Sequence, residues 1–406
     1  MKPGYKQTEI GVIPEDWDIG SLKEAFPRLN AGVSVNSDER AVSDYYVLKT
    51  SAVRNGKVNT REAKPVIVSD YPRLKCPVKK GSIIISRMNT PAMVGECGYS
   101  ATDATDTFLP DRLWQVEPSS PDYDFQWLNY LLNTERYSAA IRATATGTSN
   151  SMKNIAKNRL LEIAVPKPPR PEQERIAEAL SDMDEMITSL EKLIAKKKAI
   201  QQGVMRELLT GKHRLPGFKG EWHNQIMKNY VDFLVGFPFS SEFFNDNSLG
   251  LRLIRNRDLK YDDQIVYSTE ATDDSFIVEN GDVLVGMDGD FLPCIWNKGK
   301  AMLNQRVGKL LFRESLIGRF AYYPFQKPLM ELQDGTGATT VKHLSHGDIK
   351  RLKVFMPPSK EEQKAVSSIL ADLDEEIHRY EERIAKARQI KKGMMQQLLT
   401  GNIRLV

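Results

Sequence analysis

The chain has 406 residues and a mass of 46.0 kDa, beyond the ~100–200 residues of one ordinary domain, so two or three domains are expected. With 41% hydrophobic and 27% charged residues and a mean hydropathy of −0.43, it is neither disordered nor collagenous in composition. Lys and Arg outnumber Asp and Glu by only 57 to 53, which excludes a histone-like polybasic chain and leaves room for local basic patches.

Three cysteines, Cys76, Cys97 and Cys294, are far apart and odd in number. They exclude a full disulfide framework and suit reduced thiols in a cytosol. The opening MKPGYKQTEIGVIPEDW has no apolar run of the signal-peptide kind, and no stretch approaches ~18 consecutive apolar residues. The expectation is a cytoplasmic protein with no membrane partner.

In chain order, the first landmark is a tryptophan phrase, IPEDWDIGSLKEAF at 13–26. A strand-like SIIIS follows in VKKGSIIIS at 78–86, bounded by glycine. DYDFQWLNYLLNTERYSAAIRATA at 122–145 is helix-like, and TGTSNSMKNI at 146–155 is a glycine turn. A proline-rich lead, VPKPPRPEQ at 165–173, then opens a long heptad segment. Its apolar positions are Ile176, Leu180, Met183, Ile187, Leu190 and Ile194. That 4-3-4-3-4 seam is narrow and wants one partner helix, as in a coiled coil. TGK at 210–212 supplies a C-terminal glycine.

The landmarks then repeat. FKGEWHNQIMKNYV occupies 218–231, the strand-like IVYSTE and DVLVGM follow, VENGDVLVG fills 278–286 and TGATTVKHL fills 336–344. HLSHGDIKRL at 343–352 carries Ser345 three residues before Asp348, a capping-box spacing. VFMPPSKEEQ at 354–363 opens a second heptad of Val366, Leu370, Leu373, Ile377, Tyr380 and Ile384, ending in TGN at 400–402. Residues 172–215 and 362–405 align at an offset of 190 without a gap, with about 20 of 44 positions identical. The chain therefore reads as one unit of about 200 residues written twice. Its expected parts are a variable segment at 1–165, a central helix at 166–215, a second variable segment at 216–355 and a C-terminal helix at 356–406.

Charge predicts how the helices pair. The first is acidic through Glu172, Glu174, Glu178, Asp182, Asp184, Glu185 and Glu191, then basic through Lys192, Lys196, Lys197, Lys198 and Arg206. The second runs from Asp372, Asp374, Glu375, Glu376, Glu381 and Glu382 to Arg383, Lys386, Arg388, Lys391 and Lys392. Parallel packing would set acid on acid, whereas antiparallel packing sets each acidic half beside a basic half. The alternative is that each gradient serves only its own helix dipole. The expected fold is α+β, with two mixed α/β segments separated by two long antiparallel coiled-coil helices in a pseudo-two-fold repeat.

No catalytic phrase stands out. His343 and His346 lack companion metal ligands, GMDGDFLPC at 286–294 reads as a turn, and neither a GxxxxGK[ST] loop nor a GxSxG elbow occurs. No cysteine has a paired histidine phrase, so burial is the simpler reading for all three. A recognition or scaffolding role is expected, with no catalytic and no metal-binding residues.

The paired phrases PPRPEQERIAEALSDMDE and PPSKEEQKAVSSILADLDE, the LLTG helix ends, the opening YKQTEIGVIPEDW and the phrase YYVLKTSAVRNGKV resemble the specificity subunit of Type I restriction–modification enzymes over essentially the whole chain. The resemblance implies two target-recognition domains that each read half of a split, asymmetric double-stranded DNA site. It implies a non-catalytic subunit joined by two modification subunits and by restriction subunits. S-adenosylmethionine, ATP and Mg would act in those partners. A helix from Glu172 to Leu209, ~57 Å at ~1.5 Å per residue, would match ~17 base pairs.

Base reading favours Arg on guanine and Asn or Gln on adenine. Candidates in the first segment are Lys49, Thr50, Arg54, Arg87, Met88, Asn89, Thr90, Asp111, Arg112, Gln115, Asn150, Lys153 and Asn154. In the second they are Arg255, Asn256, Arg257, Met287, Asp288, Asn304, Gln305, Arg306, Thr339, Lys342 and His343. The alternative for each is a solvated or structural polar residue. For the chain, the main rival is a coiled-coil scaffold joining two protein-binding globules. A methyltransferase fused to its recognition domain is a third reading, weakened by the missing donor-binding loop. Residues 1–165 hold 21 basic against 19 acidic groups and residues 216–355 hold 17 against 18, so neither segment would grip DNA by bulk charge.

Overall fold

The computed structural model describes residues 3–40, 42–147, 151–334 and 343–406. The chain folds into two compact units, Met1–Glu191 with Arg383–Val406, and Lys192–Glu382. Each long helix, Arg170–Leu209 and Lys360–Leu398, is therefore divided between the two.

In the first unit, one sheet runs in the order Asn30–Ala31, Leu113–Val116, Ile83–Ser86, Cys97–Tyr99, Gly56–Val58, Val53–Arg54. A second sheet runs Ala63–Pro65, Tyr46–Leu48, Ala104–Phe108, Pro77–Val78. In the second unit the order Val231–Val235, Val307–Phe312, Val283–Gly286, Pro293–Ile295 reproduces the first four strands of the larger sheet. Val266–Ser268, Leu251–Ile254, Ala301–Leu303, Ile277–Val278 reproduce the other. The duplication thus extends through segments whose sequences have diverged.

The β-branched Ile83–Ile85 and the aliphatic Val283–Val285 are fully or almost fully buried, as the central strand of a two-sided sheet must be. Both strands are entered through a glycine with positive φ, Gly81 at 79° and Gly281 at 95°, where a side chain would be strained. The backbone N–H of each donates at 2.8 Å across the sheet, to Ser100 O and Trp296 O.

The helix-like stretch 122–145 forms two helices, Phe125–Leu132 and Glu135–Ala143. The break has a local cause: Asn133 Nδ2 donates to Asn129 O at 2.8 Å, and Thr134 caps the second helix through Tyr137 N. The helix Gly318–Asp334 in the second unit was not foreseen, because Pro324 and Pro328 lie inside it. Burial of Phe320, Tyr323, Phe325 and Leu329 outweighs the lost hydrogen bonds.

Within each unit the long helices pair antiparallel. In the first, Lys391 reaches Asp184 and Arg388 reaches Glu191, both at 2.7 Å. In the second, Lys197 reaches Glu376 and Lys198 reaches Glu381, also at 2.7 Å. Acidic half meets basic half in both. The seams are not purely helix on helix: Ile176 and Leu180 join the first unit's main core with Leu398 and Leu399, and Val366 and Leu370 join the second's with Leu208. Met183, Ile194, Leu373 and Tyr380 are half-buried, while Ile187, Leu190, Ile377 and Ile384 are buried.

Candidate nucleic-acid interface

Each unit is anchored by the EQ pair that opens its helix. Trp17 Nε1 donates to Glu172 at 2.9 Å, and Arg404 donates to both Glu172 oxygens at 2.7 and 2.8 Å. In the second unit, Trp222 Nε1 donates to Glu362 at 3.2 Å and Arg214 donates at 2.6 and 2.7 Å. Both carboxylates are 1% exposed, a position tolerable only for a charge that is paired and hydrogen-bonded. Gln173 ties Pro168 O and Asp122 O to Asp124 N, and Gln363 ties Pro357 O and Ser315 O to Ile317 N. The tryptophan phrase, the proline lead and the helix end thus close on one buried glutamate. They also pair as strands, Asp18–Ser21 with Ala164–Lys167 and His223–Ile226 with Lys353–Met356.

Each unit also brings several of the candidate residues together at one edge. In the first, Arg87 N donates to Arg112 O at 3.0 Å and Ile155 N donates to Arg87 O at 2.8 Å. Met88 and Asn89 pair with Asn154 and Lys153. Arg87, Met88, Asn89, Arg112, Lys153 and Asn154 therefore gather, with Thr90 and Asp111 beside them. The Arg87 guanidinium lies 5.2 Å over the Trp114 ring, its Nε buried without a partner among the described residues, as is Asn154 Oδ1. The second unit repeats the frame: Met287 N donates to Arg306 O, and Leu344 N donates to Met287 O. Asp288 bridges His343, and Asn256 Nδ2 donates to Asp288 O at 2.7 Å.

Other predicted positions lie elsewhere or are occupied. Lys49 and Thr50 follow the inner strand Tyr46–Leu48 of the smaller sheet, where Lys49 pairs with Glu39 at 3.5 Å, and Arg54 lies on the edge strand of the larger one. Arg255 bonds Asp258, which raises its already high pKa, and Arg257 bonds Gln264 and Asp263. Asn304 accepts from Gln305 N, leaving the Gln305 side chain exposed beside Arg306. Two expectations are corrected. Gln115 is fully buried, donating to Pro77 O and accepting from Lys79 N, and Met287 is 2% exposed in the core, so neither side chain can meet a base. Asn150, Thr339 and Lys342 lie outside the described residues. Sequence reasoning missed the roles of Glu172, Glu362, Arg214 and Arg404, although RL at 214–215 and 404–405 repeats in register.

Burial pushes the Cys97 thiol up to about 12 and the Cys76 thiol up to about 11, so both stay protonated at neutral pH. Among the described residues, no group of three or more His, Cys, Asp or Glu side chains could hold a metal ion. No helix among them is long and apolar enough to cross a membrane.

Two equivalent α+β heads, each mounted on an antiparallel helix pair and each exposing an arginine, Arg112 or Arg306, at the matching place in the frame, define a duplicated recognition protein. The family model described as the Type I restriction modification DNA specificity domain matches residues 14–202 and 239–387, and the chain belongs to that family. It is 25% identical to the putative type I restriction enzyme MjaX specificity subunit of Methanocaldococcus jannaschii, over 99% of this chain and 97% of that one. It is 32% identical to the EcoBI specificity subunit of Escherichia coli, over 45% of this chain and 38% of that one. A solved type I restriction–modification S subunit from M. genitalium has the same fold, with a TM-score of 0.66 at 17% identity, covering 98% of this chain and 99% of that one.

Proposed function

We propose that this chain reads a bipartite, asymmetric DNA site, one half with each head, and positions modification and restriction subunits that carry the chemistry. S-adenosylmethionine, ATP and Mg would act in those partners and not on this chain. The observation that carries the reading is the pair of equivalent edges built on the same strand order from different residues. Arg87, Asn89 and Arg112 line one, and Asp288, Arg306 and His343 line the other. Equivalent frames with unlike side chains suit two half-sites that differ in sequence. The scaffold reading gives no reason for an arginine, Arg112 or Arg306, to recur at the same place in both frames.

Methylome sequencing of cells with and without the chain tests this. A split motif of methylated adenines should appear only with it, and Arg112→Ala should relax base choice in one half alone. If the same motif persists without the chain, or if the chain binds no DNA beside its methyltransferase, the scaffold reading takes its place.

A further inference from the structure

The second head carries a device not found among the described residues of the first. Asp288 Oδ1 accepts from His343 Nδ1 at 2.9 Å, while Oδ2 lies 3.0 Å from an Arg306 guanidinium nitrogen. The Asp288 backbone is held as well, by the bridge to His343 and by the bond from Asn256 to its carbonyl. Gly286 keeps the turn tight against that clamp, since a Cβ there would meet Asn256 Oδ1 at 2.2 Å and Asp290 O at 2.3 Å. The carboxylate is 28% exposed and the Arg306 side chain 57% exposed. A largely enclosed acid thus holds one flank of an outward-facing guanidinium.

Ordering a free arginine on binding costs rotamer entropy, and an arginine already oriented avoids most of that cost. Its planar fork matches the O6 and N7 acceptors of guanine. Asp288 itself could accept from cytosine N4, but both its oxygens are engaged, so direct reading by the acid would break two existing contacts. In the first head the matching position is Met88, and no ion pair joins Arg112 to a carboxylate among the described residues.

We propose that Asp288 is a positioning residue of the second head that holds Arg306 in the orientation that reads one guanine. This rests on the DNA-recognition reading above. The test uses the full chain with its methyltransferase subunits on a DNA library randomised across both half-sites. The wild type reports the motif, and Asp288→Asn and Arg306→Ala report which position changes. Guanine preference should fall at one and the same position in both variants, by roughly 5- to 150-fold for Arg306→Ala and by less for Asp288→Asn. Asp288→Glu should restore part of it. Preferences in the other half-site should stay unchanged, which shows that the complex still assembles and binds.

If Arg306→Ala keeps every preference, or the two variants change different positions, the assignment falls. Should Asp288→Asn disturb the second head's fold, Arg306→Ala, at an exposed site, still decides. A guanine preference that survives it overturns the proposal. A wild-type complex with no motif would instead overturn the DNA-recognition reading itself.

Discussion

At the scale of single residues, the anchors Glu172 and Glu362 are the most consequential groups outside the reading edges. A buried carboxylate stripped of its partner is destabilising by about 3–5 kcal/mol, because its desolvation is no longer offset. Arg404 supplies two of the bonds to Glu172, and its own side chain is 23% exposed, so Arg404→Ala should cost about 3 kcal/mol. Arg404 also bonds Asp16, whose carboxyl is held below its usual range by that bond. Asp16 is 55% exposed, so Asp16→Asn should cost no more than ~1 kcal/mol. Denaturant unfolding of the full chain checks both values. Arg404→Ala should move the transition of the unit containing Glu172 and leave the other in place, and Arg214→Ala should do the reverse. Two equal shifts in both transitions would show that the anchors are not local. The EQ, tryptophan and RL phrases were each visible as repeats in the sequence. That they meet at one carboxylate was not, because 232 residues separate Glu172 from Arg404 and no periodicity spans such a distance.

At the scale of elements, the helix pair follows from its heptads and charge gradients, and its direction was legible because a parallel pair would stack like charges. Burial decides which ion pairs matter. Lys391 and Asp184 are each 21% exposed, Lys391 lies 5.2 Å over the Tyr130 ring, and Tyr130 donates to the same carboxylate at 2.8 Å. Lys198 and Glu381 are 52% and 44% exposed and rest on the open surface. A double-mutant cycle of Lys391→Ala with Asp184→Asn should give a coupling of about 1–2 kcal/mol, and one on Lys198 and Glu381 below ~0.5 kcal/mol. Equal couplings would mean that exposure does not govern the pairing. The packing of Ile176 and Leu180 into a head's own core was hidden for a different reason. A heptad specifies which face is apolar, not which neighbour covers it. Likewise the shared strand order of the heads left a trace in sequence only at the central strands, in the phrases at 78–86 and 278–286, since sheet pairing needs buried alternation rather than particular residues, and the Gly318–Asp334 helix was masked by its prolines.

At the scale of the whole molecule, charge constrains how DNA is held. Salt dependence of binding counts phosphates neutralised by Lys and Arg, at about 0.9 per phosphate in the slope of log K against log salt. The first recognition segment carries 21 basic against 19 acidic groups and the second 17 against 18. In the second head Arg252, Arg255, Arg257, Lys260 and Arg306 are already paired with Asp262, Asp258, Asp263, Asp290 and Asp288. Moving such a cation to a phrase of DNA backbone exchanges one anion for another and gains little. Base reading by an oriented arginine, by contrast, releases no counterion. The chain alone should therefore bind its site with a shallow slope, of magnitude no more than about 3. Adding the methyltransferase subunits should at least double the slope while leaving the ranking of base preferences in both half-sites as the chain sets it. The check is a titration of binding by the full chain, with and without those subunits, from low to physiological salt. A steep slope for the chain alone would mean that the heads release their internal pairs to grip phosphate, and would reverse the division between selecting a sequence and holding it.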